Sequence, residues 1–145
     1  MVGHLDDGQR SEGRSVNAHS DTRQHAISVR QPWAWAIIHA GKDVENRGAP
    51  RRFQPAVGHR VLIHASKTMS ADEYAAAVAF MAGLGVRCPA PTDLAFGGIV
   101  GSAIVTGIVT RHHSLWFRGP AALVLADARP EPFRPVRGQL GLWRP

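Results

Sequence analysis

Residues 27–47 read ISVRQPWAWAIIHAGKDVENR, and this stretch sets the start of the fold. Its opening, Ala26–Arg30, has the β-branched character of a strand. Pro32 suits the first turn of a helix, where its missing N–H would have no partner. Apolar residues then recur at i, i+4 and i+7, on one helical face: Trp33, Ile37 and Ala40. Gly41 predicts the end of this helix.

The segment after Gly41 carries four charges, which a core helix does not need at its exit. On an extended strand Asp43, Glu45 and Arg47 would share one face, whereas Val44 would point toward a core. A carboxylate between two cations would stay ionised and would hold Arg47 in a fixed orientation. Lys42, at the junction of helix and strand, would reach the same place. An ordinary solvated cluster of charges has the same spacing, so the pattern alone leaves both interpretations open.

The composition predicts one soluble domain. A chain of 145 residues with 44% hydrophobic content is long enough for one core. It contains no apolar run near the roughly 20 residues that cross a bilayer, so we expect no membrane contact. Cys88 is the single cysteine, which fits a reducing cytoplasm. Residues 1–25 are polar and lack the apolar core of a secretory signal; we expect a disordered tail there and the domain over residues 26–145.

The charge is concentrated in the predicted domain. Residues 1–25 carry a net −1, from three Arg and four acidic residues, whereas residues 26–145 carry +7, from 14 basic and 7 acidic residues. Of the 17 basic residues 15 are arginine, whose planar, forked guanidinium suits phosphate and base contacts. A GC-rich genome would also enrich arginine, so the charge favours a nucleic-acid partner without requiring one.

The remaining pattern predicts an α+β fold, mainly β. Ser70-Ala-Asp-Glu73 is a capping box that begins a helix ending at Gly83 or Gly85. Glycines interrupt the β-branched run at residues 97–110, which is typical of a long, bent barrel strand. The predicted strands after the first are residues 43–47, 60–65, 97–110, 121–126 and 141–143. Together they predict a small β-barrel with flanking short helices.

Several other sites find no support in the sequence. The histidine pairs, at 112–113 and at 59 and 64, do not have the spacing of a zinc site, and no further cysteine completes one. We expect neither a metal nor a cofactor. Trp33 and Trp35 stand about 200° apart on a helix, so one of them should be partly exposed for stacking or partner contact. Trp116 and Trp143 fit a core position and a stacking surface equally well.

Four motifs, in this order, resemble the ASCH (activating-signal-cointegrator homology) domain family. The family signature Gly-x-Lys-x-x-Glu-x-Arg follows a short helix, and here it is AGKDVENR at residues 40–47, with Ala40 in place of the first glycine. The other three are SVRQPW at 28–33, LIHAS at 62–66 and RGQLGLW at 137–143. The resemblance covers the chain from Ala26 to its last residue.

The resemblance implies a PUA-like β-barrel with flanking helices, a fold related to known RNA-binding modules. It also implies that Lys42, Glu45 and Arg47 line a cleft between the barrel and the first helix. On physical grounds we add further candidates for ligand contact: Trp33 or Trp35 as an aromatic wall, Arg30 before the helix, and His64, Ser66 and Lys67 as polar neighbours after the next strand.

Three functions follow as hypotheses. The first is binding of RNA or of a modified nucleoside, with Lys42 and Arg47 on phosphate or a base edge, and Glu45 orienting Arg47 or accepting from a base amino group. The second is a hydrolase. Some small relatives resemble amidohydrolases that deacetylate N4-acetylcytidine with Lys, Thr and Glu, but the threonine position is Glu45 here. Lys42 would act as the base, and Glu45 would position a water or Ser66 would replace the nucleophile.

A metal-independent ribonuclease would use the same charged residues. The third hypothesis is a protein-interaction domain, whose contact surface would combine Trp35 with the arginine-rich end of the chain. Those arginines are Arg129, Arg134, Arg137 and Arg144.

Overall fold

Two long antiparallel strands form the centre of the fold. The structure is a computed structural model that describes residues 24–145, so the predicted tail falls almost wholly outside the described residues. Six strands form one curled, mixed sheet, a half-barrel, in the order β2-β5-β4-β3-β1-β6. They are β1 (Ala26–Val29), β2 (Val44–Asn46), β3 (Arg60–Ala65), β4 (Gly98–Val109), β5 (Ala122–Pro135) and β6 (Leu142–Trp143). β1 and β3 are parallel, and the other neighbours are antiparallel.

Two α-helices flank the sheet, which confirms the predicted class. They are α1 (Trp33–His39) and α2 (Ala71–Gly83), and two 3₁₀ helices span Pro50–Ala56 and Pro91–Asp93. The 3₁₀ helices were not predicted, because their prolines indicate only a turn. None of the helices in residues 24–145 is long and apolar enough to cross a membrane.

Helix α1 is held at its start by a bond to the chain before β4 and is closed at its end by a turn, and this fixes where the charged segment begins. Near its start the Trp35 N–H donates to Gln31 Oε1 over 2.9 Å, and Gln31 Nε2 donates to Ala95 O over 2.8 Å. Past its end Gly41 has φ = 73°, a left-handed conformation that glycine adopts without a Cβ penalty. The Lys42 N–H then donates back to Ala36 O over 3.1 Å. The chain therefore turns directly from the helix into β2.

Strand β4 bends as its glycines predict. A Cβ on Gly101 would collide with the Ile38 side chain and the Arg129 carbonyl, and one on Gly98 would lie 2.6 Å from the Phe133 ring. The pairing of β4 with β5 also shifts register at three places along its length. Both glycines are therefore needed for close packing within a bent strand, and the prediction of such a strand is confirmed.

Strand β5 is longer than predicted. The pattern ended it at Ala126, but it continues through an arginine- and proline-rich segment to Pro135. Its pairing with the long β4 carries it on, and Pro130 and Pro135 lie opposite Gly101 and Gly98. β2 covers the other side of β5 only from Ala122 to Val124. Beyond that point the described residues include no strand on this side, so prolines are tolerated there as on any edge.

The core lies between the sheet and the helices. It divides into a main cluster under α1, a second cluster beneath α2 and the β4–β5 loop, and a small one at β6. The capping box of α2 is present, and this helix buries Ala77 and Met81, of which Met81 belongs to the second cluster. The largest fully buried side chains of the main cluster are Phe53, Ile27, Ile37, Ile63 and Leu123. The core clusters contain residues of both α1 and β2, so they support the two elements between which the charged segment begins.

The last residues of the chain close over β1 and β3. Trp143 is buried, packs edge-on against the His64 ring at 5.4 Å, and donates from Nε1 to Ser28 Oγ over 3.1 Å. Ser28 Oγ in turn donates to Gln139 O over 2.9 Å. Gly138 lies so close that a Cβ there would come 2.6 Å from His64 Cε1. Trp143 is thus a core residue, and Gly138 is needed for the close approach.

We expect Gly138→Ala to lower the free energy of unfolding by about 1–3 kcal/mol, because the added methyl must displace a buried ring. Chemical denaturation measures this change. Gly48→Ala is the matched control, since a Cβ at Gly48 meets nothing within 4 Å and its backbone is not left-handed. Equal stability of the two variants would contradict the packing described for Gly138.

Candidate functional site

A pocket lies between the first turn of α1, β2 and the loop that joins β4 to β5. Its volume is about 290 Å³. The residues that line it come from all three elements: Trp33, Lys42, Glu45, Asn46, Trp116, Arg118 and Gly119. This pocket therefore brings together Lys42, Glu45 and Asn46 of the motif at residues 40–47 with Trp33, one of the two tryptophans predicted as an aromatic wall.

The floor of the pocket is a buried ion pair. Lys42 is 4% exposed and Glu45 is 9% exposed. Lys42 Nζ lies 2.8 Å from Glu45 Oε1 and donates to Val44 O over 2.5 Å. An ammonium group has three N–H donors, so one donor is left for a ligand. Burial of these two charges requires their pairing, because either one alone would lose its hydration without compensation.

Arg47 lies behind this floor and does not line the pocket. Its Nη2 is 3.1 Å from Glu45 Oε2 and donates to Ser28 O over 2.7 Å. The guanidinium packs over the Phe53 ring at 5.2 Å, and its Nε is buried without a hydrogen-bond partner among the described residues. The spacing predicted that Glu45 would hold Arg47 in a fixed orientation, and the two side chains are indeed paired. The contact with ligand that we predicted for it stays a prediction, and the geometry offers it no direct route from this pocket.

Aromatic side chains form one wall of the pocket. Trp33 meets Phe80 edge-on at 5.8 Å between ring centroids, and Phe80 lies 6.0 Å from Trp116. The Arg118 guanidinium rests on Phe80 at 4.6 Å, and Lys42 Nζ is 5.9 Å from the Trp33 ring. Trp116 is buried in the core and also lines the pocket, so the core position and the stacking surface proposed for it do not exclude each other.

Asp43 and Asn46, each of which directly follows a floor residue in the sequence, hold the loop over the pocket. Asp43 Oδ1 accepts from Ser114 Oγ over 2.5 Å. Asn46 Nδ2 donates to Trp116 O over 3.1 Å, and its Oδ1 accepts from the N–H groups of Arg118 and Gly119 over 2.9 and 3.2 Å. Asp43 thus lies outside the Lys42–Glu45–Arg47 network that its spacing predicted it would share. It anchors the loop instead.

The other predicted site residues lie elsewhere. Trp35 is half-buried in a separate small cavity beside His39, and Arg30 forms an ion pair with Glu73. His64, Ser66 and Lys67 line a second, larger cavity. The sequence reasoning did not select Asn46 or Arg118 as site residues. Asn46 lies inside the motif, which was a usable signal, whereas Arg118 had none beyond its charge.

The described residues contain no group of three or more His, Cys, Asp or Glu side chains that would hold a metal ion. Carboxylates near the pocket are engaged with cations or hydroxyls, as described for Glu45 and Asp43.

We expect Asn46→Ala to free the loop over the pocket. The change leaves two backbone N–H groups without their acceptor and should cost about 1–3 kcal/mol of stability. Hydrogen exchange at the Arg118 and Gly119 amides should become faster. Asn46→Asp is the control, because it retains the oxygen acceptor; equally fast exchange in both variants would argue against this role for Asn46.

Arg30 sets the titration of Glu73. The hydrogen bonds from Arg30, followed by the Ser70 backbone N–H, lower the pKa of the Glu73 carboxyl from 4.5 to about 2. A lowered pKa means that the ion pair stabilises the fold fully above pH 4.5 and that this contribution is lost as pH falls toward 2. We expect Arg30→Gln to move the Glu73 titration toward 4.5, measured by carboxyl NMR, while Arg87→Gln leaves it in place. An unchanged titration in Arg30→Gln would contradict the pairing.

Comparison with known proteins agrees with the motifs. The family model described as ASCH domain matches residues 27–121, more than half of the chain. Among solved structures, the crystal structure of the ZmASCH S128A mutant protein from Zymomonas mobilis matches with 18% sequence identity and a TM-score of 0.48, over 85% of this chain and 89% of that chain. No curated protein matches significantly. The family match includes α1, the charged motif and the whole β4–β5 loop over the pocket, and the chain belongs to the ASCH domain family.

Proposed function

We propose that the pocket binds a nucleobase, carried by RNA or by a modified nucleoside. The observation that carries this proposal is the meeting of Trp33 and Trp116 with the buried Lys42–Glu45 pair in one cavity. A base has an apolar face and a polar edge, and a pocket for it needs both kinds of surface. Stacking of a base on an aromatic side chain contributes about 1–3 kcal/mol.

The floor offers a donor beside an acceptor, which is the pattern that base edges match. Lys42 Nζ has one N–H left, and each oxygen of Glu45 has spare lone-pair capacity beyond the one cation that it accepts from. Every Watson–Crick edge presents donors and acceptors side by side. Both groups are held in place by Val44 O and Arg47, so binding would not have to order them first.

The size of the pocket fits one base or nucleoside. Its volume of about 290 Å³ lies at the lower end of the range for small-molecule sites. The exposed Arg118 at its rim, and the net +7 of residues 26–145, would attract the phosphates of a longer strand.

The same geometry favours binding over catalysis. Among the described residues, the pocket lining contains no serine, threonine, cysteine or histidine that would serve as nucleophile or proton carrier. Ser66, the candidate replacement for threonine, lines the other cavity. Both oxygens of Glu45 accept from cations, which hold the carboxylate in place. The pocket lining thus offers no side-chain nucleophile to the amidohydrolase hypothesis, which would have to rely on Lys42 and a water positioned by Glu45.

The double variant Lys42→Met/Glu45→Gln tests the proposal. It removes the charges of Lys42 and Glu45 together, so neither of these two is left buried and unpaired, and the amide oxygen of a glutamine at position 45 can still accept from Arg47. We expect the affinity for the best-bound member of a panel of cytidine, N4-acetylcytidine, uridine, adenosine and guanosine to fall about 10- to 100-fold, as for lost hydrogen bonds to charged groups. Tryptophan fluorescence would report binding, because Trp33 and Trp116 line the pocket.

Arg51→Gln, an exposed change outside the pocket, is the control and should leave this affinity unchanged. No measurable binding of any panel member or of a short RNA, or binding that the double variant leaves intact, would overturn the proposal. Incubation with N4-acetylcytidine at enzyme concentrations near that of the substrate should yield no cytidine. Turnover that Lys42→Ala abolishes would instead establish the hydrolase.

A further inference from the structure

A second cavity opens where β1 and β3 meet the chain after β5, and we call it the C-terminal groove. Its volume is about 1070 Å³. Its lining includes the ends of β1 and β3, the residues just before β4 and residues 135–140. It contains three of the predicted site residues, His64, Ser66 and Lys67, which the nucleobase pocket does not use.

The chemistry of the groove suits an anion. Lys67 and Arg137 are both exposed, and they stand among polar groups that include Ser66 and Gln139. Among the residues that the structure describes, no carboxylate lines the groove, and no salt bridge involves either cation. Two cations without a nearby carboxylate attract negative charge more strongly than cations already paired.

The two cations are held on fixed backbone. On one side of Arg137, Val136 O accepts from His64 Nε2 over 2.7 Å; on the other side, Gln139 O accepts from Ser28 Oγ over 2.9 Å. Lys67 follows Ser66, whose N–H donates to Val29 O over 2.9 Å. The groove is therefore preorganised, and its ligand would not have to order the chain on binding.

A single guanidinium nitrogen links the groove to the nucleobase pocket. Arg47 Nη2 contacts Glu45 Oε2, which belongs to the pocket lining, and Ser28 O, whose residue lines the groove. Arg47 thus contacts one lining residue of each cavity. A ligand with a base at one cavity and a phosphate near the other would use both.

We propose that the C-terminal groove binds phosphate, through Lys67 and Arg137, from the nucleotide or strand whose base occupies the pocket. The inference rests on the proposed function and narrows it, because it makes the ligand a phosphorylated one and not a free nucleoside. A phosphodiester within a strand and the terminal phosphate of a mononucleotide share this chemistry.

The test is the double variant Lys67→Gln/Arg137→Gln, compared with Arg51→Gln/Arg87→Gln, which removes the same charge from exposed positions outside the groove. Binding of a fluorescent ten-nucleotide RNA is measured against salt concentration. We expect the groove variant to weaken binding by about tenfold and to lower the slope of log affinity against log salt by about 1.4, the value for two lost contacts on a single strand. Equal losses in the two variants, or no loss in the groove variant, would overturn the proposal.

A second arm identifies the source of the phosphate. The panel nucleoside that binds best is compared with its 5′-monophosphate. If the phosphate improves binding to the wild type and the groove variant abolishes that improvement, the groove takes a terminal phosphate. If only the RNA responds to the groove variant, it takes a phosphodiester.

The pocket and groove proposals fail in different ways. RNA binding that responds to Lys67→Gln/Arg137→Gln but not to Lys42→Met/Glu45→Gln would retain the groove as an anion site and remove its link to the nucleobase pocket. The reverse result would retain the pocket and overturn the groove.

Discussion

The carboxylate of Glu45, buried between Lys42 and Arg47, is the interaction on which this molecule depends. Two cations share one anion in a place that water barely reaches, and the pairing compensates for the lost hydration of all three groups. A different structural feature positions each of the three side chains. The turn at Gly41 delivers Lys42, the short strand β2 delivers Glu45, and the carbonyl of Ser28 on β1 fixes Arg47. The end of α1, the strands β1 and β2 and the pocket floor are therefore linked through the Glu45 carboxylate.

The motif around this carboxylate serves more than one layer of the structure. Val44 enters the core, while Asp43 and Asn46 reach outward and hold the loop above. Lys42 and Glu45 are left to form the floor. The six residues 42–47 thus form the pocket floor, hold the loop over the pocket and anchor β2 in the core. These separate roles account for the charged and polar residues that follow the short apolar helix.

Elements governed by local chemistry could be predicted from the sequence, and those governed by distant partners could not. The capping box at Ser70 and the glycines of β4 act on their own surroundings, and both were correctly interpreted. The continuation of β5 past Ala126 depends on pairing with β4, which outweighs the unfavourable prolines. Within the site, the spacing correctly paired Glu45 with Arg47. It could not reveal that Arg47 turns away to a carbonyl on β1, or that Ser114 would claim Asp43.

The prolines in the second half of β5 have a consequence for how the edge of this sheet can pair. A half-barrel leaves strand edges open, and an open edge is a template on which another chain can add a strand. Three prolines within six residues, at 130, 132 and 135, have no N–H to donate to an added strand. Arg134 places a like charge at the same position in every copy, which opposes such pairing. The segment that looks least like a strand in the sequence thus makes this sheet edge a poor template for an added strand.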